Sequence, residues 1–372
     1  MVATDKKLSL LIPTFCRYGK LARNLIYLHE MANSELIETG RSKDIEVIIA
    51  DGTPSEANAD DSFAKQFFGD ALSAANKVLD ITYLELPGAS YFERLYELVN
   101  VSSADLVTML GDEDLFVFDA LDDIYALFSE HDINAVAGRF IDIHGFSRGK
   151  LKYSLHEGWF NEYKIESKSA LNRLRGFSVS RGIGTPSTSY SVNPREFMLK
   201  VAKKMADNDK VFSYTNCQEF WDNYRIASGS MYSICRPLYL RDRTFVGRFH
   251  DDPRWSDSSL DGKMRELLFE AIDECSEDFN SPSEVAEFFS DFDKGFEVTN
   301  QGHLYEMRHL MDAAQPWLSS YLASTMKKST VEACEKSWKT TIDFAYPGTP
   351  KSHLGIPSFW KRAAYKLYSL IA

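Results

Sequence analysis

The sequence predicts an α/β fold with a mostly parallel central sheet flanked by helices and followed by a mainly helical C-terminal region. Three observations carry that expectation. Short apolar, β-branched runs alternate with helical stripes over the first 140 residues, glycine- and aspartate-rich turns punctuate them, and beyond Trp255 the apolar residues recur at helical spacing.

Leu8 to Ile12 is apolar but for Ser9, as befits a strand buried on both faces of a parallel sheet, and Pro13 breaks the run. Leu21, Leu25, Ile26 and Leu28 then mark an amphipathic helix. Ile45 to Ala50 is a second strand, stopped by Asp51-Gly52 and a turn-rich stretch to Asp61. Ile81 to Leu86 reads as strand, Tyr91 to Val99 as helix, Leu106 to Leu110 as strand, and Leu121, Ile124, Leu127 and Phe128 as a helical stripe. After Ala135-Val136-Ala137 the rhythm changes, and the polar, aromatic stretch from Gly145 to Gly184 reads as mixed loop and strand. Helices are expected around Arg195 to Met205 and Glu219 to Ala227, with a strand from Met231 to Tyr239 between the latter and the C-terminal region. Met264, Leu267, Leu268, Ala271 and Ile272 form one later stripe, and Leu304, Met307, Leu310 and Met311 another. The expected division is a domain over 1–255, with halves at 1–140 and 141–255, and a helical region over 256–372.

Forty-two Lys+Arg against 54 Asp+Glu leave a formal charge of −12, which argues against a surface built to track a nucleic-acid backbone. No window approaches the roughly eighteen apolar residues of a membrane span, and Met1 to Lys7 lacks the apolar stretch of a secretory signal, so a cytoplasmic protein is expected. Cys16, Cys217, Cys235, Cys275 and Cys334 are odd in number and widely spaced, which fits buried thiols better than disulfides or a zinc site. The final stretch, Phe359 to Ala372, mixes aromatics with Lys361, Arg362 and Lys366. It reads either as a helix docked on the protein's own core or as a peripheral contact with an anionic membrane face.

The richest segment is Asp105 to Phe116, DLVTMLGDEDLF. An apolar strand ends at Gly111 and delivers Asp112, Glu113 and Asp114 where a parallel sheet opens, which is where ligands of such sheets bind. Adjacent carboxylates repel unless a cation or solvent compensates them, and an oxygen-rich cluster suits Mg²⁺ or Mn²⁺ bridging to substrate phosphates. A solvated acidic turn capping the next helix is the alternative.

Taken in order, LSLLIPTFCRYGKLARNLIYL at 8–28, EVIIADGTP at 46–54 and LVTMLGDEDLF at 106–116 resemble the start of a family 2 glycosyltransferase of the GT-A fold, of the branch found in bacterial surface-polysaccharide synthesis. The resemblance implies a metal-dependent, inverting transfer from a nucleotide-sugar, a UDP-sugar first among them, to a saccharide or lipid-linked saccharide. It assigns Pro13, Thr14 and Arg17 to the nucleoside, Asp51 to the base or ribose, and Arg94 to the diphosphate. The common pattern has two acidic residues before the glycine, and Ala50 stands in the first of those positions. Asp112 and Asp114 match the D-x-D motif, with Asp114 as the direct metal ligand, and the metal is Mn²⁺ or Mg²⁺.

Inverting transfer also needs a carboxylate that takes the acceptor hydroxyl's proton. Glu219 is the first candidate and Asp222 the second, both at the start of an expected helix, although acidic residues there also suit the helix dipole. Tyr239 to Asp252, read as a loop-like stretch after a strand, gathers Arg241, Arg243, Arg248 and His250. The resemblance implies that such a segment closes over the diphosphate, with Arg241 and Arg243 on the phosphates and His250 completing the metal shell; a salt-bridged surface loop is the alternative. Tyr153, Trp159, Phe160, Tyr163, Tyr190 and Trp221 are candidates for stacking on a saccharide acceptor, or else core aromatics.

No G-x-G-x-x-G follows a strand and no G-x-x-x-x-G-K-[ST] occurs, which weighs against nicotinamide and P-loop enzymes. Gly176 to Ser180 lacks the final glycine of a nucleophile elbow. The competing readings are a sugar-nucleotide nucleotidyltransferase and a non-catalytic module of the same fold. A homo-oligomer built through the helical region remains compatible with the pattern.

Overall fold

The structure is a computed structural model that describes residues 6–36, 39–54, 62–147, 150–155, 164–181, 190–213, 216–242, 257–290 and 325–345. The elements follow in chain order as β1 (Leu8–Thr14), α1 (Tyr18–Met31), β2 (Ile45–Asp51), α2 (Ser62–Ala75), β3 (Asp80–Glu85), α3 (Tyr91–Val101), β4 (Leu106–Met109), β5 (Leu115–Phe116) and α4 (Leu121–Glu130). The second half supplies β6 (Ala135–Ser147), β7 (Lys150–Leu155), β8 (Lys164–Ile165), α5 (Ala170–Arg181), β9 (Ser191–Pro194), α6 (Arg195–Asp207), α7 (Asn216–Ser228) and β10 (Met231–Asp242). Three further helices are α8 (Asp261–Cys275), α9 over 282–290 and α10 (Lys328–Ala345).

One sheet runs in the order β3-β2-β1-β4-β9-β6-β10-β5, with β7 on β6 and β8 on β10. Strands β3, β2, β1 and β4 are mutually parallel, and β6 is parallel to β10, while β9, β5, β7 and β8 pair antiparallel. The expected mostly parallel α/β sheet with flanking helices is therefore present.

The period-2 alternation of β1 and β2 divides their apolar residues between two cores. Leu8, Leu10 and Ile12 join Val47 and Ile49 beneath α1, α2, α4 and α10, whereas Leu11, Ile48 and Ala50 face α3 and the core shared with α5 to α8. Both faces of the central strands are thus covered, which is why those strands read as unbroken apolar runs. The polar exception, Ser9, donates to Glu46 at 2.5 Å. Glu46 also accepts the backbone N–H groups of Ser103 and Ala104, fixing the entry to β4 with a fully partnered buried carboxylate.

Four expectations need correction. Pro13 does not end β1, because pairing with β4 stops at Leu11 and Pro13 stays in register with Ala50 of β2. Residues 170–181 form a helix, though Arg173 and Arg175 interrupt its apolar pattern; buried Arg173 donates to the carbonyls of Lys168 and Ile226. Strand β10 continues to Asp242, so Arg241 sits in a strand, not in a loop. Of the five thiols expected to be buried only Cys334 is; Cys16 is exposed and Cys217, Cys235 and Cys275 are half-buried. No described helix is long and apolar enough to cross a membrane. The stripe at 304–311 and the segment 359–372 lie outside the described residues.

Candidate active site

Strands β1, β2 and β4 are parallel with β1 between the other two, so their C-terminal ends open at one edge of the sheet. Open α/β sheets bind ligands outside the carboxyl ends of such strands. Two carboxylate corners stand on that edge.

The first corner is Asp51, the last residue of β2 and 4% exposed. It accepts the N–H of Thr53 at 2.9 Å, the Thr53 hydroxyl, and the Tyr83 hydroxyl at 2.6 Å. Burial, and then the hydrogen bond and charge of Asp51, push the Tyr83 hydroxyl well above the ordinary tyrosine range. Burial and the same carboxylate raise Tyr18 to about 12. Gly52 follows because nothing larger fits. A Cβ there would lie 2.7 Å from Arg94 Nε and 2.9 Å from the Ala89 carbonyl.

Arg94, expected near a diphosphate, is 4% exposed beneath this corner. It donates to the Thr14 carbonyl and, at 3.1 Å, to the Ser90 carbonyl, with Phe15 lying 5.6 Å over its guanidinium. The turn from β1 into α1 passes through Cys16 at φ 54°, a left-handed conformation held by its N–H donating to Thr53 Oγ1 at 2.8 Å. That turn starts α1 with Arg17 pointing toward the second corner.

The second corner is the acidic loop between β4 and β5. Asp112, 3% exposed, accepts Thr14 Oγ1 at 2.8 Å and Arg17 Nη1 at 3.0 Å. Glu113 pairs with Arg17 and, at 3.5 Å, with Lys20. Asp114 is also 3% exposed and lies against Gly111, where a Cβ would be 2.8 Å from its Oδ2. Helix α1 fixes the loop's backbone. Arg23, Asn24 and Tyr27 donate to the carbonyls of Glu113, Asp114 and Phe116 at 2.8, 2.7 and 2.7 Å.

Antiparallel pairing sets Leu115 opposite Leu240, which brings Asp114 beside Arg241. Arg241 lies 5.3 Å over Phe140 and 5.2 Å over Tyr190. Burial opposes its charge, yet Tyr190, Asp114 and Asp142 together keep its pKa above the usual arginine value. Burial raises the Glu113 carboxyl to about 7, with Asp112 adding to the shift and Lys20 and Arg17 opposing it. Burial likewise raises Asp114, opposed by Arg241 and reinforced by Glu113 and Asp242. Burial first, and the crowding of carboxylates second, thus disfavours full ionisation of Glu113 and Asp114.

Two hard carboxylates two residues apart suit Mg²⁺ or Mn²⁺, which commonly takes one or two protein carboxylates together with substrate phosphate oxygens. Among the described residues no third His, Cys, Asp or Glu completes a protein-only ligand set.

The structure brings together Pro13, Thr14, Arg17, Asp51, Asp112, Asp114 and Arg241 on this edge, with Arg94 beneath it. Arg243 and His250 lie outside the described residues. Glu219 pairs with Arg265 of α8 at 3.1 Å and keeps its side chain 29% exposed, whereas Asp222 on the same helix is 1% exposed. Trp221 is core, Tyr190 packs on Phe140 and Tyr239, and Tyr153 packs against the core; Trp159, Phe160 and Tyr163 are outside the described residues. The residues that motif reasoning missed are Lys20, Arg23 and Asn24. Their signal was present as a three-residue cationic period, Arg17, Lys20 and Arg23, along α1. Tyr83 and its link to Asp51 carried no comparable signal.

No protein-family model and no curated protein matches the chain. Solved structures do. S. aureus TarS 1-349 in complex with UDP-GlcNAc aligns over 90% of this chain and 91% of that one at 14% identity, with a TM-score of 0.50. The same protein in complex with UDP aligns over 92% and 93% at 13% identity, with a TM-score of 0.46. A longer S. aureus TarS structure aligns over 77% of this chain at 14% identity and a TM-score of 0.47, and the chain spans 42% of its length.

Proposed function

With the fold shared by TarS 1-349, a GT-A-type glycosyltransferase, as the premise, we propose that this chain is a glycosyltransferase that moves a sugar from a UDP-sugar to a saccharide or lipid-linked saccharide in surface-polysaccharide synthesis. The observation that carries the reading is the second corner: Asp112, Glu113 and Asp114 at the mouth of the parallel sheet, with Arg17, Lys20 and Arg241 around them. TarS 1-349 holds UDP-GlcNAc in its complex, which supports UDP-GlcNAc as the first donor to try here.

In this reading the hydroxyl-lined corner at Asp51 takes the nucleoside, together with Pro13 and Thr14, and the acidic loop takes the diphosphate. Asp112 and Asp114 hold Mn²⁺ or Mg²⁺. When bound, the ion neutralises the leaving diphosphate as a Lewis acid. Arg17 and Arg241, which already face the loop carboxylates, shift toward phosphate oxygens as the donor enters. Arg243 is assigned to the phosphates and His250 to the metal, as the family resemblance implies; both lie outside the described residues. Glu219 takes the acceptor hydroxyl's proton as that oxygen attacks the anomeric carbon from the face opposite the diphosphate, giving inversion. Its partial exposure supports it over buried Asp222. The acceptor half is 141–255, and 256–372 supplies helices and, through 359–372, peripheral contact with the cytoplasmic membrane face.

Titration calorimetry with UDP-GlcNAc and other UDP-, GDP- and dTDP-sugars, with and without Mn²⁺, tests the proposal. Metal-dependent binding of one donor class that Asp114→Asn removes supports it. A folded protein that binds none of them overturns it in favour of a non-catalytic module.

A further inference from the structure

The acidic loop, the end of β10 and the C-terminal helix α10 converge on one side chain of α1. Arg23 is 5% exposed. Its Nη1 donates to Asp242 Oδ2 at 2.8 Å, its Nη2 donates to the Glu113 carbonyl at 2.8 Å, and its guanidinium carbon lies 3.7 Å from the centroid of the Trp338 ring. Its Nε has no hydrogen-bond partner among the described residues. The indole face therefore closes the remaining side of a buried cation.

Each partner belongs to a different part of the chain. Glu113 lies in the acidic loop, and the Asp242 backbone hydrogen-bonds the Asp114 carboxylate. Asp242 also immediately precedes the basic segment that begins at Arg243. Trp338 is 4% exposed in the middle of α10, which packs along α1. A planar guanidinium can donate in two directions and present a face to an aromatic ring at the same time, which lysine cannot do.

We propose that Arg23 is a positioning residue for the acidic loop, and that α10 sets the order of that loop through Trp338; the catalytic consequence rests on the glycosyltransferase reading. Without the indole, water reaches the guanidinium and competes for it, and the Glu113 carbonyl and Asp242 lose a fixed donor. Helix α10 has attachments that do not involve Arg23. Asp119 accepts the Lys327 N–H at 2.5 Å and the Thr330 hydroxyl at 2.8 Å, and Lys336 pairs with Glu30 at 2.6 Å. Those contacts allow the indole to be removed while the helix stays docked.

The test compares the full-length wild type with Trp338→Leu, Trp338→Phe, Arg23→Lys and the control Lys336→Ala by hydrogen exchange and kinetics. The probe is the Asp114 amide, bonded to the Gly111 carbonyl at 3.0 Å. Expected in Trp338→Leu and Arg23→Lys is exchange about tenfold faster at Asp114, with the α10 amides within about threefold of wild type. Turnover of a UDP-sugar falls about tenfold while its KM stays within about threefold. Trp338→Phe keeps an aromatic face and restores most of both readouts, and Lys336→Ala changes neither. Unchanged exchange at Asp114, or loosening spread evenly over α1 and α10, overturns the proposal. If the wild type turns over no nucleotide-sugar, the glycosyltransferase reading fails and the exchange measurement still decides the linkage.

Discussion

Asp51 and the Asp112–Asp114 loop follow β2 and β4, the strands on either side of β1, at the same sheet edge, yet their charge is balanced by different means. Asp51 is surrounded by neutral donors, the Thr53 N–H and hydroxyl just beyond β2, the Tyr83 hydroxyl of β3 and the Tyr18 hydroxyl of α1. The acidic loop is held by Arg17, Lys20 and Arg241, cations drawn from α1 and β10. Hydroxyl donors fix a carboxylate in place without offering anything to exchange. Cations around crowded carboxylates can be re-partitioned when a diphosphate or a divalent ion arrives. The contrast separates a corner shaped for recognition from one poised for charge movement.

The largest effect that tests this contrast is at Asp114. On the proposed reading, in which Asp114 would hold the charge-neutralising ion, Asp114→Asn is expected to lower turnover of the bound donor by about a hundredfold or more while the melting temperature stays near wild type. Steady-state kinetics with thermal melting measures both. A comparable loss of stability would make the loop a structural element instead.

Next is Gly52→Ala. With a Cβ arriving 2.7 Å from Arg94 Nε and 2.9 Å from a backbone oxygen, overpacking is expected to destabilise the protein by about 1–3 kcal/mol and to weaken donor binding, as chemical denaturation and calorimetry would reveal. A neutral result would mean that the Asp51 corner tolerates rearrangement.

The pH dependence distinguishes the corners directly. The folded pKa of Glu113 is raised to about 7, above its unfolded value, so its contribution to stability is fully present below about pH 4 and is lost as pH rises toward 7. In the absence of divalent ions, melting temperatures measured from pH 4.5 to 7.5 should fall for wild type relative to Glu113→Gln. Tyr18 at the other corner is raised to about 12, so its contribution is lost only as pH climbs from about 10 through 12. A flat difference between wild type and Glu113→Gln would show that Arg17 and Lys20 already balance the loop.

The smallest effect is expected for Tyr83→Phe, which removes one of several donors to Asp51 and should destabilise by about 1 kcal/mol in urea unfolding. An effect as large as that of Gly52→Ala would mean that the hydroxyl network, not the close backbone approach, organises this corner.

Much of this edge was legible in the residue order. The strands at 8–14, 45–51 and 106–109 announce themselves because central parallel strands must be apolar on both faces, and Gly111 followed by three acids marks where such a strand opens. The helix at 170–181 was not legible, since Arg173 is buried in it by satisfying backbone carbonyls of the α7 end, a contact between residues over fifty positions apart. The extension of β10 through Arg241 was equally hidden. Its arginine is tolerated in a strand only because Phe140 and Tyr190 flank it and Asp114 faces it.

By itself the sequence determined the α/β alternation, the apolar strands and the presence of two acidic turns, because hydrophobic periodicity and turn chemistry are local properties of the chain. Only the tertiary structure decided which cations face those acids, that Arg94 lies beneath Gly52, and that Arg23 joins residues 113, 242 and 338. Those are contacts between distant segments, chosen by strand order and by the need of every buried charge for a partner.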